Sequence, residues 1–238
     1  MSYRWEIWTD GPSRLSTAAE GAGRLLETMR ALAAVFPGEA DTVRMTAGGG
    51  QLPVADDATA EGLREALAAS GNTGVEVLGL GRGRLWITWR DPDPGRAGAR
   101  AELRIGTKPL MNPALEERLP GVAALVAEAG RIWAADYAWI DLVHVRQDWN
   151  HWRRGLPVFS LATWLRDTAA RVDTAGLDVD TTDVGGGRLV TLRVPPAAVG
   201  NDEDGAVSGG RALVRALAAR TVLADGRRLL EANPALAD

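Results

Sequence analysis

The chain has 238 residues, 46% of them apolar and 24% charged, which suffices for a full hydrophobic core and is ordinary for a globular protein. It contains no cysteine, so disulfides, thiolate catalysis and cysteine-ligated zinc or iron–sulfur sites are excluded. The net charge of −4 comes with no basic cluster, which argues against direct nucleic-acid binding, and no apolar run approaches the ~20 residues of a membrane span. The opening residues, Met1-Ser2-Tyr3-Arg4-Trp5-Glu6, lack the basic and apolar regions of a signal peptide, so the expected compartment is the cytoplasm.

Tyr3 to Thr9 alternates Tyr3, Trp5 and Ile7 with Arg4, Glu6 and Trp8, the period of a half-buried strand, and Asp10-Gly11-Pro12 turns the chain. Thr17 and Glu20 stand at capping-box spacing, and Ala22, Leu25, Leu26, Met29, Leu32 and Ala33 follow a helical stripe that Pro37-Gly38 ends. A short strand is expected over Val43 to Thr46, then a loop at Gly48 to Gly50 and a helix over about Ala58 to Ala69 capped by Asp57. Val75 to Leu80, Arg84 to Arg90 and Ala99 to Ile105 read as an antiparallel meander with one wet face. Asn112-Pro113 starts a helix that Leu119-Pro120 should interrupt, and a second should run from Gly121 to Ala135. Farther on the pattern gives a strand near Leu177 to Thr181, a Gly185-Gly186-Gly187 turn, a strand over Arg188 to Val194, and a last helix carrying Val207, Leu213, Val214 and Leu217.

A faint repeat accompanies these elements. Leu63-Arg64-Glu65 through Gly74-Val75-Glu76-Val77 aligns without gaps on Leu165-Arg166-Asp167 through Gly176-Leu177-Asp178-Val179. Two residues of slack then align Gly83-Arg84-Leu85 with Gly187-Arg188-Leu189, so both copies read as helix, loop, strand, glycine turn, strand. The fold class is α+β, antiparallel sheets flanked by helices. The chain is one domain over 1–238 or, if the repeat is a duplication, two similar subdomains at 1–108 and 109–238.

Chemistry is concentrated between Ile132 and Trp164, which holds five of the nine tryptophans and both histidines, His144 and His151. Trp133 and Trp164 sit on apolar faces and read as core. Trp149 and Trp152, within Gln147-Asp148-Trp149-Asn150-His151-Trp152-Arg153-Arg154, have polar neighbours throughout and read as contact residues. The catalytic patterns do not assemble. The glycine runs lack the Gly-Lys-Ser/Thr continuation of a phosphate loop, and the two histidines are not at the i, i+4 spacing of a helical metal pair. Asp93 with Glu102 and Arg104 imitates a nuclease metal core, but arginine stands where a lysine is needed and cannot easily give up a proton. No cofactor or metal is expected, and the chain reads as a non-enzyme. The alternative is an enzyme or small-molecule-binding domain with a pocket lined by Trp, His and Asp around residues 136–154.

In order along the chain, several of these segments resemble the immunity protein 52 family, antidotes encoded beside polymorphic bacterial toxins. The resemblance rests on the helix Leu125 to Trp133, the Pro-led strand Leu156-Pro157-Val158-Phe159-Ser160-Leu161-Ala162-Thr163-Trp164-Leu165, the strand segment Gly185-Gly186-Gly187-Arg188-Leu189-Val190-Thr191-Leu192, the Asn201-Asp202 turn with its closing helix, and the N-terminal strand and helix. Ser160-Leu161 replaces the Gly-Trp pair of that pattern, and Trp164 its final tyrosine. Membership implies a binding module with no reaction of its own that covers the active site of a cognate toxin, a nuclease. An acidic inhibitor with aromatic anchors complements a basic nuclease cleft. The contact residues expected on that basis are Asp136, Asp141, Asp148, Trp149, His151, Trp152, Asp178, Asp180, Asp183, Asp202 and Glu203. The partner is a toxin protein rather than a nucleic acid or a membrane, and the sequence leaves the oligomeric state open.

Overall fold

In the computed structural model the described residues are 5–11, 18–35, 42–45, 51–53, 61, 73–80, 83–90, 102–108, 114–142, 155–194 and 209–236. Strand β1 (Trp5–Asp10) lies in the interior of a ten-stranded sheet. On one side it pairs antiparallel with β6 (Glu102–Lys108), which continues through β5 (Gly83–Arg90), β4 (Thr73–Leu80) and β2 (Thr42–Met45) to the edge strand β3 (Gln51–Pro53). On the other side it pairs with β7 (Tyr137–Leu142), then β8 (Ala162–Arg166), β11 (Gly187–Leu192) and the opposite edge, β10 (Val179–Val184). A separate two-stranded sheet joins β9 (Ala170–Val172) to β12 (Thr221–Leu223). The β4–β5–β6 meander is thus present, with its last strand set three residues later than the alternation suggests.

Among the described residues the helices with defined bounds are α1 (Ala18–Val35), α2 (Ala114–Ile132), α3 (Gly209–Ala219) and the short α4 (Leu229–Ala232), followed by a 3-10 turn at Pro234–Leu236. Helix α2 packs on β7, β8, β11 and β1, and α1 lies against α2. Their stripes meet there: Leu25, Met29 and Leu32 from α1 and Val122, Val126 and Ala129 from α2 are fully buried. Trp133 closes this layer, its indole N–H donating to Thr28 Oγ1 at 2.9 Å while the Thr28 hydroxyl donates to Arg24 O at 2.8 Å. The tryptophan's one polar atom is therefore satisfied inside the core.

Trp164 holds the second layer together. On α2, a Cβ added to Gly130 would fall on its ring, and on β11 a Cβ at Gly187 would meet both the same ring and the Leu165 carbonyl oxygen. The indole N–H donates to Val184 O at 2.9 Å, tying the ring to the far strand of the hairpin. Glycine is required at both positions because helix and strand approach one large side chain from two sides. The Gly185-Gly186 turn of that hairpin has φ of +63 and +75, the left-handed pair that a tight two-residue β-hairpin demands.

Several elements differ from the sequence reading. Pro120 does not divide α2. It is an exposed residue early in a helix whose apolar stripe is held on the sheet, so one missing N–H is outweighed by burial of that stripe. The helix ends at Ile132 instead of Ala135. Ala134 N–H donates to Arg131 O and Ala135 N–H to Gly130 O, a Schellman motif with Ala134, at φ 48, where glycine is usual. The alternation of β1 predicts a half-buried strand, but both of its faces are covered: Glu6 and Trp8 are 1% and 9% exposed, and Ile7 and Thr9 on the opposite face are buried as well. The Pro-led strand begins at Ala162; Pro157 to Leu161 form irregular chain, and Thr163 Oγ1 secures them by donating to Val158 O and accepting from Ser160 N–H, both at 3.0 Å. The helix expected in the second copy of the repeat is absent, since Leu165 and Arg166 belong to β8. The hairpin strand expected near Leu177 starts at Val179. The strands β3, β9 and β12, with α4, were not anticipated, and the helix expected over Ala58 to Ala69 lies, apart from Glu61, outside the described residues.

The aligned repeat strands nevertheless occupy matching ranks. Counting outward from the β1–β7 seam, β5 and β11 are third and β4 and β10 fourth. The connections differ, for β6 follows β5 in the chain whereas β8 precedes β10.

Three substitutions test this packing by urea denaturation. Gly130→Ala should destabilise by about 1–3 kcal/mol, because overpacking against Trp164 exceeds the gain in helix propensity. Gly23→Ala, whose Cβ meets nothing within 4 Å on the exposed face of α1, should stabilise by about 0.5–1 kcal/mol. Ala134→Gly should stabilise by up to about 1 kcal/mol by relieving the left-handed backbone; a lowered midpoint for either of the last two contradicts the geometry above.

Candidate partner-binding surface

The β10–β11 hairpin carries the best-defined group of the expected contact residues. Asp178, Asp180 and Asp183 are exposed, with side-chain accessibilities of 65%, 61% and 75%. Each has an arginine partner from the β11 side. Arg193 donates to Asp180 Oδ1 from Nε at 2.9 Å and from Nη2 at 2.5 Å, and its Nη1 lies 3.7 Å from Asp178 Oδ1. Arg188, directly opposite Asp183 in the register, donates to Asp183 Oδ1 at 2.9 Å. Hydrogen bonding from Arg193 holds the Asp180 carboxyl below its ordinary value of 3.8, and Arg193 and Arg188 are raised by their aspartate partners.

Asp136 lies beyond the C-terminus of α2, beside the turn of the same hairpin. Its backbone N–H donates to Asp10 O and its carbonyl accepts from Arg166 N–H, each at 2.9 Å. The half-buried carboxylate is 3.9 Å from Arg166 Nε, which donates to Ala135 O at 2.8 Å. Arg166 stands opposite Gly187 in the register, and Asp167 N–H donates to Gly186 O at 3.3 Å, which brings Asp136 and the hairpin turn to one end of the sheet. Arg131 completes this end, packed against Gly185 and donating to Glu27 and to Glu128, contacts that raise its pKa. Asp141 sits apart on β7, its Cα paired with that of Glu6 on β1. Asp148, Trp149, His151, Trp152, Asp202 and Glu203 lie outside the described residues.

Two acids that the sequence reading passed over are buried on β1. Glu6 shares one strand face with Trp8, whose ring stacks on Trp139 of β7 at 6.4 Å and 8°. Asp10, 5% exposed and assigned from sequence to a turn, ends β1 and accepts the Gly155 N–H at 2.5 Å through Oδ2. The sequence offers the spacing Glu6, Trp8, Asp10, a period-two set that places acid and aromatic on one strand face without signalling that the face is covered. Among the described residues no group of three or more His, Asp or Glu side chains could hold a metal ion, and no helix is long and apolar enough to cross a membrane.

The fold is shared with a solved structure. It resembles the Pseudomonas aeruginosa T6SS protein PA0821 with a TM-score of 0.51 at 12% identity, over 91% of this chain and 72% of that one. No protein-family model matches the sequence, and no curated protein matches it either, so the immunity protein 52 resemblance has no counterpart among those comparisons.

The Asp180–Arg193 pair predicts a titration. A carboxylate whose folded pKa lies below its unfolded one adds stability above the unfolded value and loses it as pH falls through the folded value. The Asp180 contribution is therefore complete above pH ~4 and disappears on further acidification. Followed by carboxyl NMR, the Asp180 midpoint should rise toward the ordinary aspartate value in Arg193→Gln; an unmoved midpoint excludes Arg193 as its cause.

Proposed function

We propose that the protein is an immunity protein, which binds a cognate bacterial polymorphic toxin and neutralises it by covering its active site, with no reaction of its own. The observation that carries this reading is the fold shared with a T6SS protein, at a similarity that speaks for architecture alone. The exposed aspartates on the β10–β11 hairpin add a second line of support, since they suit a toxin with a basic, nucleic-acid-binding cleft. The arginines beside them hold the carboxylates in fixed positions, which limits the side-chain entropy lost on docking. Such an interface buries roughly 1,200–2,000 Å² and is dominated by a few aromatic or arginine anchors.

The direct test is co-expression with the product of the neighbouring gene. Survival of cells carrying both, and capture of a stoichiometric complex, are expected; undiminished toxicity beside folded, abundant protein sinks the proposal. Within such a complex, Trp149→Ala with Trp152→Ala should raise Kd by about a hundredfold or more while the melting temperature holds. A double variant that unfolds instead shows that these rings belong to the core.

A further inference from the structure

β10 is the outermost strand of the large sheet, and one ladder bond fixes its hydrogen-bonding phase. Arg193 N–H donates to Asp178 O at 3.2 Å, in phase with the pairing of Val179 and Leu192. Bonded and non-bonded positions alternate along an antiparallel pair, so Asp180, Thr182 and Val184 exchange bonds with β11 while Val179, Thr181 and Asp183 direct their backbone groups outward. Val179 N–H is taken up by Leu177 O at 2.9 Å. The outer rim therefore offers the N–H and C=O of Thr181 and Asp183 and the carbonyl of Val179. Such a rim is a template for another strand.

Charge decides which strand it suits. From Asp178 to Val184 the rim has three acids and no base, and the arginines that pair with them stand one strand inward. An approaching segment meets carboxylates first. Residue parity puts Asp178, Asp180 and Thr182 on the face that bears α2, and Thr181 and Asp183 on the other, so both faces of an added strand would find an acid. A second copy of the chain is the wrong occupant. Pairing two β10 edges about Thr181 sets each Asp180 diagonal to its own counterpart and lines one seam with the aspartates of both rims.

We infer that the β10 edge is a docking site for an extended, arginine- or lysine-bearing segment of a partner protein, which adds as a further strand. The inference rests on the reading that the protein acts by binding a partner, and it names the surface used.

The probe is a short fluorescent peptide with arginine at alternate positions and threonine between, titrated by anisotropy against the full chain. Saturable binding is expected. Thr181→Pro deletes an outward N–H without touching the β10–β11 ladder, a substitution that edge strands accommodate, and it should weaken binding at least about tenfold, the effect of one or two lost hydrogen bonds. Asp180→Asn with Asp183→Asn keeps the rim's backbone and should weaken it by a similar factor. Should Thr181→Pro lower the melting temperature, the same peptide N-methylated at alternate residues decides the question, and it should fail to bind the wild type. Absence of saturable binding, unchanged affinity after Thr181→Pro or N-methylation, or a wild-type dimer that Thr181→Pro dissolves overturns the inference. Protection from the neighbouring toxin that survives Thr181→Pro also removes the edge, but leaves the neutralising role standing. Peptide binding without protection does the reverse.

Discussion

Trp164 is the constraint on which the C-terminal part of the sheet depends. Its ring occupies the space between Gly130 of α2 and Gly187 of β11, and its N–H reaches Val184 on β10. One side chain thereby sets how closely the helix approaches the sheet and how the hairpin sits beneath it. Cores are packed to crystal-like density, so such a contact cannot be relaxed at one point without moving the rest. The arrangement also explains why α2 tolerates glycine in its last turn, where helix propensity alone disfavours it. Arg131, next in the chain, turns outward and packs on Gly185, which ties the same turn down from its exposed side.

This anchoring separates stability from recognition. Leu189 and Val190 of β11 are buried on opposite faces of the sheet, while Asp180 to Asp183 on β10 are exposed on both faces. Charges can change along the rim without reaching the core. By contrast, Asp136 has backbone bonds to β1 and β8 and an arginine beside it, so its carboxylate belongs to the joint between strands as much as to any surface.

Long amphipathic patterns were legible in the sequence because burial writes them at a fixed period. The stripes of α1 and of α2 beyond Pro120, the meander strands and the Gly185 turn all follow from that. What escaped has local physical causes. The strands β3, β9 and β12 have three residues each, too few for a period to show. Pro120 carried a break signal that tertiary contact overrode. Glu6 and Trp8 looked wet because strand alternation cannot tell a solvent-facing side from a covered polar one, and only the tertiary cover over both faces of β1 resolves it. Of the candidate site, the acids at 178, 180 and 183 were visible as residues, but their place on one outer rim depended on a register that no short-range pattern encodes.

The seam between β1 and β7 has a bearing on how the chain is made. Ile7 is paired on one side with Ile105 and on the other with Ile140, so β1 meets both neighbours only across long stretches of chain. Contacts this distant in sequence slow folding, since the closure entropy is lost before the pairing repays it. Meanwhile a nascent strand bearing Trp5, Ile7 and Trp8 is a hazard for misassociation. Glu6 and Asp10 interleave carboxylates with those apolar residues, a pattern that opposes association of an unpaired strand.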